Sequence, residues 1–159
     1  MNFYLQLLEK NYILTVSATA WIIAQLLKVL IDLFSNKKFN SERIFGAGGM
    51  PSTHSALVCA MVISTGKLLS TTSNEFAFAM ILAGIVMYDA MGVRRETGKQ
   101  AKVLNTLILD WMDNSNFKDN INLQTVEYKK LKELVGHTPF EVIAGAILGM
   151  IIGFIVPLP

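Results

Sequence analysis

Hydrophobic positions along the chain gather into four long runs, at 11–34, 51–69, 76–93 and 139–158, and most charged residues fall between them. About 20 apolar residues in a helix cross the roughly 30 Å of a bilayer's hydrocarbon, so each run reads as a transmembrane helix. Between the third and fourth runs the pattern changes. Val103, Leu104, Leu107, Ile108, Trp111 and Met112 recur at helical spacing, while Lys102, Asn105, Asp110 and Asp113 occupy the rest of the wheel. This pattern predicts an amphipathic helix over 99–113, interfacial or packed on the bundle. Residues 114–125 are polar and read as a loop, and 126–135 as a short helix that Gly136 caps. The expected fold is all-α: a polytopic membrane bundle of four transmembrane helices plus the amphipathic one. No repeat or second domain interrupts it, so 1–159 reads as a single integral membrane domain.

Composition agrees with this pattern. Only 16% of the 159 residues are charged, against about a quarter in an ordinary soluble domain, and mean hydropathy is +0.44. A net charge of +2, spread along the chain, gives no nucleic-acid surface. Cys59 is the single cysteine, so no intrachain disulfide forms. The first run is longer than a signal peptide's h-region and lacks a basic n-region, since Glu9 and Lys10 cancel; it is expected to be retained. Charge matters through its placement. Lys37, Lys38 and Arg43 follow the first run, and Arg94, Arg95, Lys99, Lys102, Lys118, Lys129, Lys130 and Lys132 follow the third, against Lys10 and Lys67 on the opposite side. Basic loops stay cytoplasmic, which places both termini outside in an integral protein of the cell membrane.

With that topology, three unusual stretches meet at the cytoplasmic side: GAGGMPSTHS at 46–55, YDAMGVRRETGKQA at 88–101 and GHTPFEVIAG at 136–145. In the first, glycines give a permissive backbone, Pro51 suits the first helical position, and Ser52, Thr53 and His54 would form the first turn. Free amides at a helix start attract phosphate, and His54 can move a proton beside it. A plain helix cap with an interfacial histidine fits the same residues. In the third, Thr138, Pro139 and Glu141 match the N-cap, N1 and N3 positions of a capping box. His137, Glu141, Gly145, Gly149 and Gly153 recur every four residues, so one helix face carries the histidine, the carboxylate and small residues suited to close packing. Glu141 can both cap and hold one nitrogen of His137, leaving the other as a nucleophile. Arg94, Arg95 and Lys99 are either topology anchors or ligands for phosphate oxygens. Asp89 and Lys28 are intramembrane ionisable residues and so further candidates.

These residues carry a resemblance. Pro51-Ser52-Thr53-His54 resembles the Pro-Ser-Gly-His motif of the type 2 phosphatidic acid phosphatase superfamily, which includes vanadium-dependent haloperoxidases. His137-Thr138-Pro139-Phe140-Glu141-Val142 with Gly145 resembles its third motif. Stretches 48–56, 88–101 and 131–149 are similar to a divergent branch of small membrane proteins related to acid phosphatase and vanadium-dependent haloperoxidase. The resemblance implies that His137 attacks phosphorus, Glu141 orients it and His54 protonates the leaving oxygen. It further implies that Ser52, Arg94, Arg95 and amides near Gly49 hold phosphate, with Lys99 nearby, and that no metal or other cofactor is needed. The superfamily's first-motif lysine is absent upstream of Gly46, leaving Lys28 as the intramembrane substitute. The Ser-Arg pair expected before the nucleophile is Lys130-Leu131 here, and the usual aspartate is Glu141.

The expected activity is hydrolysis of a lipid phosphate, such as phosphatidate, phosphatidylglycerophosphate or a polyprenyl phosphate or diphosphate, through a phosphohistidine. Membrane lipids are the expected partners, and the small-residue face of the last helix would serve a homo-oligomer as readily as internal packing. A non-catalytic binder of anionic lipid, or a small transporter, is the alternative; it keeps the arginines and tolerates loss of His137. A metal site of His54, His137, Glu141 and Asp89 lacks the usual ligand spacing.

Overall fold

In a computed structural model, the described residues are 3–36, 49–113, 131, 133 and 135–159, and they form six helices and no strand. These are α1 (Phe3–Lys10), α2 (Tyr12–Asn36), α3 (Thr53–Leu69), α4 (Asn74–Met91), α5 (Val93–Asp113) and α6 (Pro139–Ile155). The four apolar runs correspond to α2, α3, α4 and α6. Two helical stretches, Tyr12–Phe34 and Asn74–Trp111, are long and apolar enough to cross a membrane, whereas α3 and α6 are apolar but have 17 residues each.

Several boundaries differ from the pattern's prediction. The chain is already helical at 3–10, then reverses at Asn11, which caps α2 by accepting from the Leu14 amide at 3.0 Å. The reversal brings Tyr4 Oη to 3.3 Å from Thr19 Oγ1. Pro51 does not open α3: it follows a cis Met50–Pro51 bond, and Ser52 is the N-cap. The amphipathic helix starts at Val93, six residues earlier than its apolar stripe suggests, separated from α4 at Gly92. Residues 131, 133 and 135 are not helical, so Gly136 caps no helix there. The rest of the short helix read at 126–135, and the loop read at 114–125, lie outside the described residues.

α3 is the central helix, packed against α2, α4 and α6. On one side Ala60 meets Val16 and Ala20 of α2 and Ile152 of α6; on the other, Val58, Cys59 and Val62 meet Ala79 and Ala83 of α4. The contact with α6 follows from the spacing of small residues. A Cβ on Gly145 would strike the Ser52 carbonyl, one on Gly149 the Ala56 carbonyl, and one on Gly153 the side chain of Ile63 at 2.7 Å. Matching steps of four on both helices keep α3 and α6 parallel and in close backbone contact. The small-residue face is therefore buried inside the chain. Apolar side chains line the outside instead, including Leu14, Ile22 and Leu26 on α2, Phe78, Ile81 and Ile85 on α4, and Ile143, Ile147 and Phe154 on α6.

The two ends of the bundle are chemically distinct. At one end the Lys67 ammonium donates to the carbonyls of Gly153, Phe154 and Val156 at 3.1, 3.1 and 2.6 Å, closing the C-terminus of α6. It also lies 5.9 Å from the centre of the Tyr12 ring, whose hydroxyl donates to Val156 at 2.9 Å. This cation neutralises a helix C-terminus rather than standing as a free anchor. At the other end α3 and α6 begin and α4 passes into α5.

Candidate active site

The site is built where the first turns of α3 and α6 meet the α4–α5 junction. Thr138 caps α6, its hydroxyl accepting from the Glu141 amide at 3.3 Å while Glu141 Oε2 accepts from the Thr138 amide at 2.9 Å. The same Oε2 lies 3.1 Å from His137 Nδ1. Capping and orienting are thus done by one carboxylate: with its proton on Nδ1 the ring donates to Glu141, and Nε2 remains as the basic nitrogen. The His137 amide donates to the Ala90 carbonyl at 3.0 Å, tying the histidine backbone to the end of α4. Its side chain is only 3% exposed.

Electrostatics favour a neutral His137. Burial pushes its pKa below the ordinary 6.5, opposed by the Glu141 carboxylate, while the Lys28 ammonium adds to the downward shift. The Gly49 carbonyl also faces the ring. A neutral imidazole is the nucleophilic form, so the environment keeps it available at physiological pH.

Two cavities adjoin His137. One, of about 220 Å³, is lined by His54, Ile85, Val86, Asp89, Ala90, Arg94 and His137. It joins both histidines to an arginine, and on its α4 side Ile85, Val86 and Ala90 are apolar beside the Asp89 carboxylate. Arg94 Nε donates to Asp89 Oδ2 at 2.6 Å, which holds the guanidinium at the cavity through one nitrogen. Lys28, Arg94, Asp89 and His137 all act electrostatically on His54. The other cavity, of about 460 Å³, is the more polar of the two: Arg95, Lys99 and Lys102 line it with Gly49, Glu133 and Glu141. The adjacent arginines, treated together in the sequence, are thus divided between two spaces. Lys99 is paired with Glu96 at 2.6 Å. Among the described residues no three His, Cys, Asp or Glu side chains gather to hold a metal ion.

Ser52 is placed differently from the expected phosphate ligand. It is fully buried, its oxygen accepts from the Ser55 amide at 3.4 Å and the Ser55 hydroxyl at 2.9 Å, and its own amide donates to the Glu141 carbonyl at 3.0 Å. It lines neither cavity and joins the starts of α3 and α6. Sequence reasoning gave Gly98, Asn105 and Gly136 no part in the site. A Cβ on Gly136, which has φ +85°, would strike the Arg95 backbone, and one on Gly98 would meet the carbonyls of Glu133 and Val135 at 2.7 and 2.8 Å. A glycine inside a polar helical run was the available signal for Gly98; the partner across from it was not visible.

The family model described as the divergent PAP2 family matches residues 9–152. An uncharacterized membrane protein of Bacillus subtilis (strain 168), YuiD, is 40% identical over 146 residues, covering 89% of this chain and 91% of that one. No solved structure matches.

Proposed function

Because the chain belongs to the divergent PAP2 family, we propose that it is an integral membrane phosphatase that hydrolyses a phosphorylated lipid through a phosphohistidine. The observation that carries the reading is the cavity shared by His54, Arg94 and His137, with Glu141 holding the far nitrogen of His137.

In this scheme Nε2 of His137 attacks phosphorus, the bond from phosphorus to the lipid oxygen breaks, and His54 gives that oxygen a proton. His54 then takes a proton from water as the water oxygen attacks phosphorus and the P–N bond breaks, releasing phosphate. Arg94 stabilises the charge on the equatorial oxygens, and buried Lys28 contributes positive field from α2. Arg95, Lys99 and the backbone at Gly49 line the polar cavity through which phosphate leaves. No metal takes part. The apolar wall at Ile85 and Val86, with Ile85 exposed on the outer face of α4, suits a hydrocarbon chain lying in the bilayer. Phosphatidate, phosphatidylglycerophosphate and polyprenyl phosphates share that chemistry.

Four crossings, by α2, α3, α4 and α6, with both termini outside, put the site at the cytoplasmic face. The exposed apolar stripe of α5, Val103, Leu107 and Trp111, then lies along the interface. The test is phosphate release by purified protein from a panel of lipid phosphates with chelator present and His137→Ala as control. Release that survives chelator and vanishes in the variant supports the reading. Absence of release from folded protein favours the alternative, a binder or transporter of anionic lipid.

A further inference from the structure

A buried side chain of α5, Asn105, holds Leu131 and Glu133, which lead toward His137. It is 2% exposed in the middle of a helix, where asparagine is a poor helix former and an unpaired amide would be costly. Its hydrogen bonds go across the structure. Nδ2 donates to the Leu131 carbonyl at 2.9 Å and to Glu133 Oε1 at 2.8 Å, and Oδ1 accepts from the Leu131 amide at 3.0 Å. An amide that pairs with both the N–H and the C=O of one residue acts as a short piece of sheet partner, fixing that backbone in position and direction.

The rest of the face continues the track. Gly98, Ala101 and Asn105 follow at steps of three and four, all buried, so they lie on one side of α5. Glu133 and Val135 rest on Gly98, Gly136 rests on the Arg94–Arg95 backbone, and the His137 amide reaches Ala90. Residues 131, 133 and 135–137 therefore lie antiparallel to α5, from Asn105 to the α4–α5 junction, where the imidazole of His137 sits between the two cavities. On this track the Asn105 side chain bonds directly to the incoming backbone, at both the carbonyl and the amide of Leu131.

We propose that Asn105 is a positioning residue for His137: its clamp on Leu131 and Glu133 sets the backbone that fixes the imidazole against Glu141 and toward Arg94. The consequence for turnover rests on the proposed phosphatase reading; the effect on the imidazole does not. Asn105 touches no reacting atom. Its influence is on geometry, and a displacement of about 1 Å at a reacting centre can lower a rate on the order of a hundredfold.

The experiment uses the full chain in lipid nanodiscs with 15N-labelled histidine, the two imidazoles being assigned with His54→Gln. In the parent, His137 is expected to show one protonated and one bare ring nitrogen, the signature of a single tautomer. In Asn105→Ala the two nitrogen shifts should move toward each other, and kcat on a hydrolysed lipid phosphate should fall about a hundredfold with KM changed by less than about threefold. Thr106→Ala, one position along on the exposed face, should change neither. A merely structural Asn105 would lower the melting temperature and leave the ring shifts alone, and that result overturns the proposal. If Asn105→Ala does not fold, Asn105→Asp decides: it keeps the acceptor for Leu131 and loses both donors, so unchanged ring shifts in it refute the clamp. A parent that hydrolyses no lipid phosphate defeats the functional reading, while the ring shifts still decide the role of Asn105.

Discussion

At the scale of single residues, the proposed chemistry is divided among side chains whose losses should differ in kind. His137→Ala should reduce turnover by about 10³-fold or more, since it removes the group proposed to form the covalent intermediate, and His54→Ala by about a hundredfold or more, chiefly in kcat. Single-turnover phosphate release measures both. Burial lowers the pKa of His137 below 6.5, so the neutral nucleophile persists into mildly acidic solution and the acid limb of kcat/KM should fall below pH 6.5. Glu141 pulls that pKa upward, so Glu141→Gln should move the limb to still lower pH while kcat drops through loss of the fixed tautomer. Vanadate, which mimics the transferring phosphate, should separate the arginines: Arg94→Ala weakens inhibition strongly, and Arg95→Ala, in the adjoining cavity, only slightly. Ser52→Ala should cost about 1 kcal/mol of stability as a lost cap, with KM unchanged.

At the scale of elements, the contact between α3 and α6 is set by glycines that face carbonyls. Gly149→Val would drive a side chain into the Ala56 backbone and should destabilise the protein by about 1–3 kcal/mol, seen as a lower midpoint of thermal unfolding in detergent. The same pair carries Ser52 and Glu141 at its start, so overpacking in the middle also shifts the site. The capping box at Thr138 and Glu141, and the four-residue period of His137, Glu141 and the glycines, could both be read from the sequence, because local hydrogen bonding and helical periodicity are properties of a short segment. Pro51 suits N1, its most frequent helical place, and Ser52 the first turn by sequence, whereas Ser52 is the N-cap and Pro51 lies before the helix.

At the scale of the whole molecule, the bundle has a polar end holding the site and an opposite end closed by Lys67 and Tyr12. In the proposed orientation, with the site cytoplasmic, Thr71 in the α3–α4 turn would face outside and Lys102 on α5 would face inside. In a Cys59→Ser background, Thr71→Cys in intact cells should react with a membrane-impermeant maleimide and Lys102→Cys should react only after lysis; the reverse pattern would invert the orientation. Lys67→Met should remove three carbonyl contacts at the end of α6 and destabilise by about 1–2 kcal/mol without altering catalysis, because it lies at the far end of the bundle.

The lengths of the apolar runs alone determined where the four apolar helices lie among the described residues, because burial and length requirements act on each segment independently. Motif chemistry alone singled out both histidines, Glu141 and the arginines. Tertiary structure decided which of these share a cavity. Arg94 and Arg95 are neighbours in sequence, but about 100° of helical rotation sends them to different spaces. Ser52 was withdrawn from solvent by a partner 93 positions away, Gly145, and Asn105 acquired its role from Leu131 and Glu133. Such pairings depend on how helices pack, and no local pattern in one segment records the surface of the segment that will lie against it.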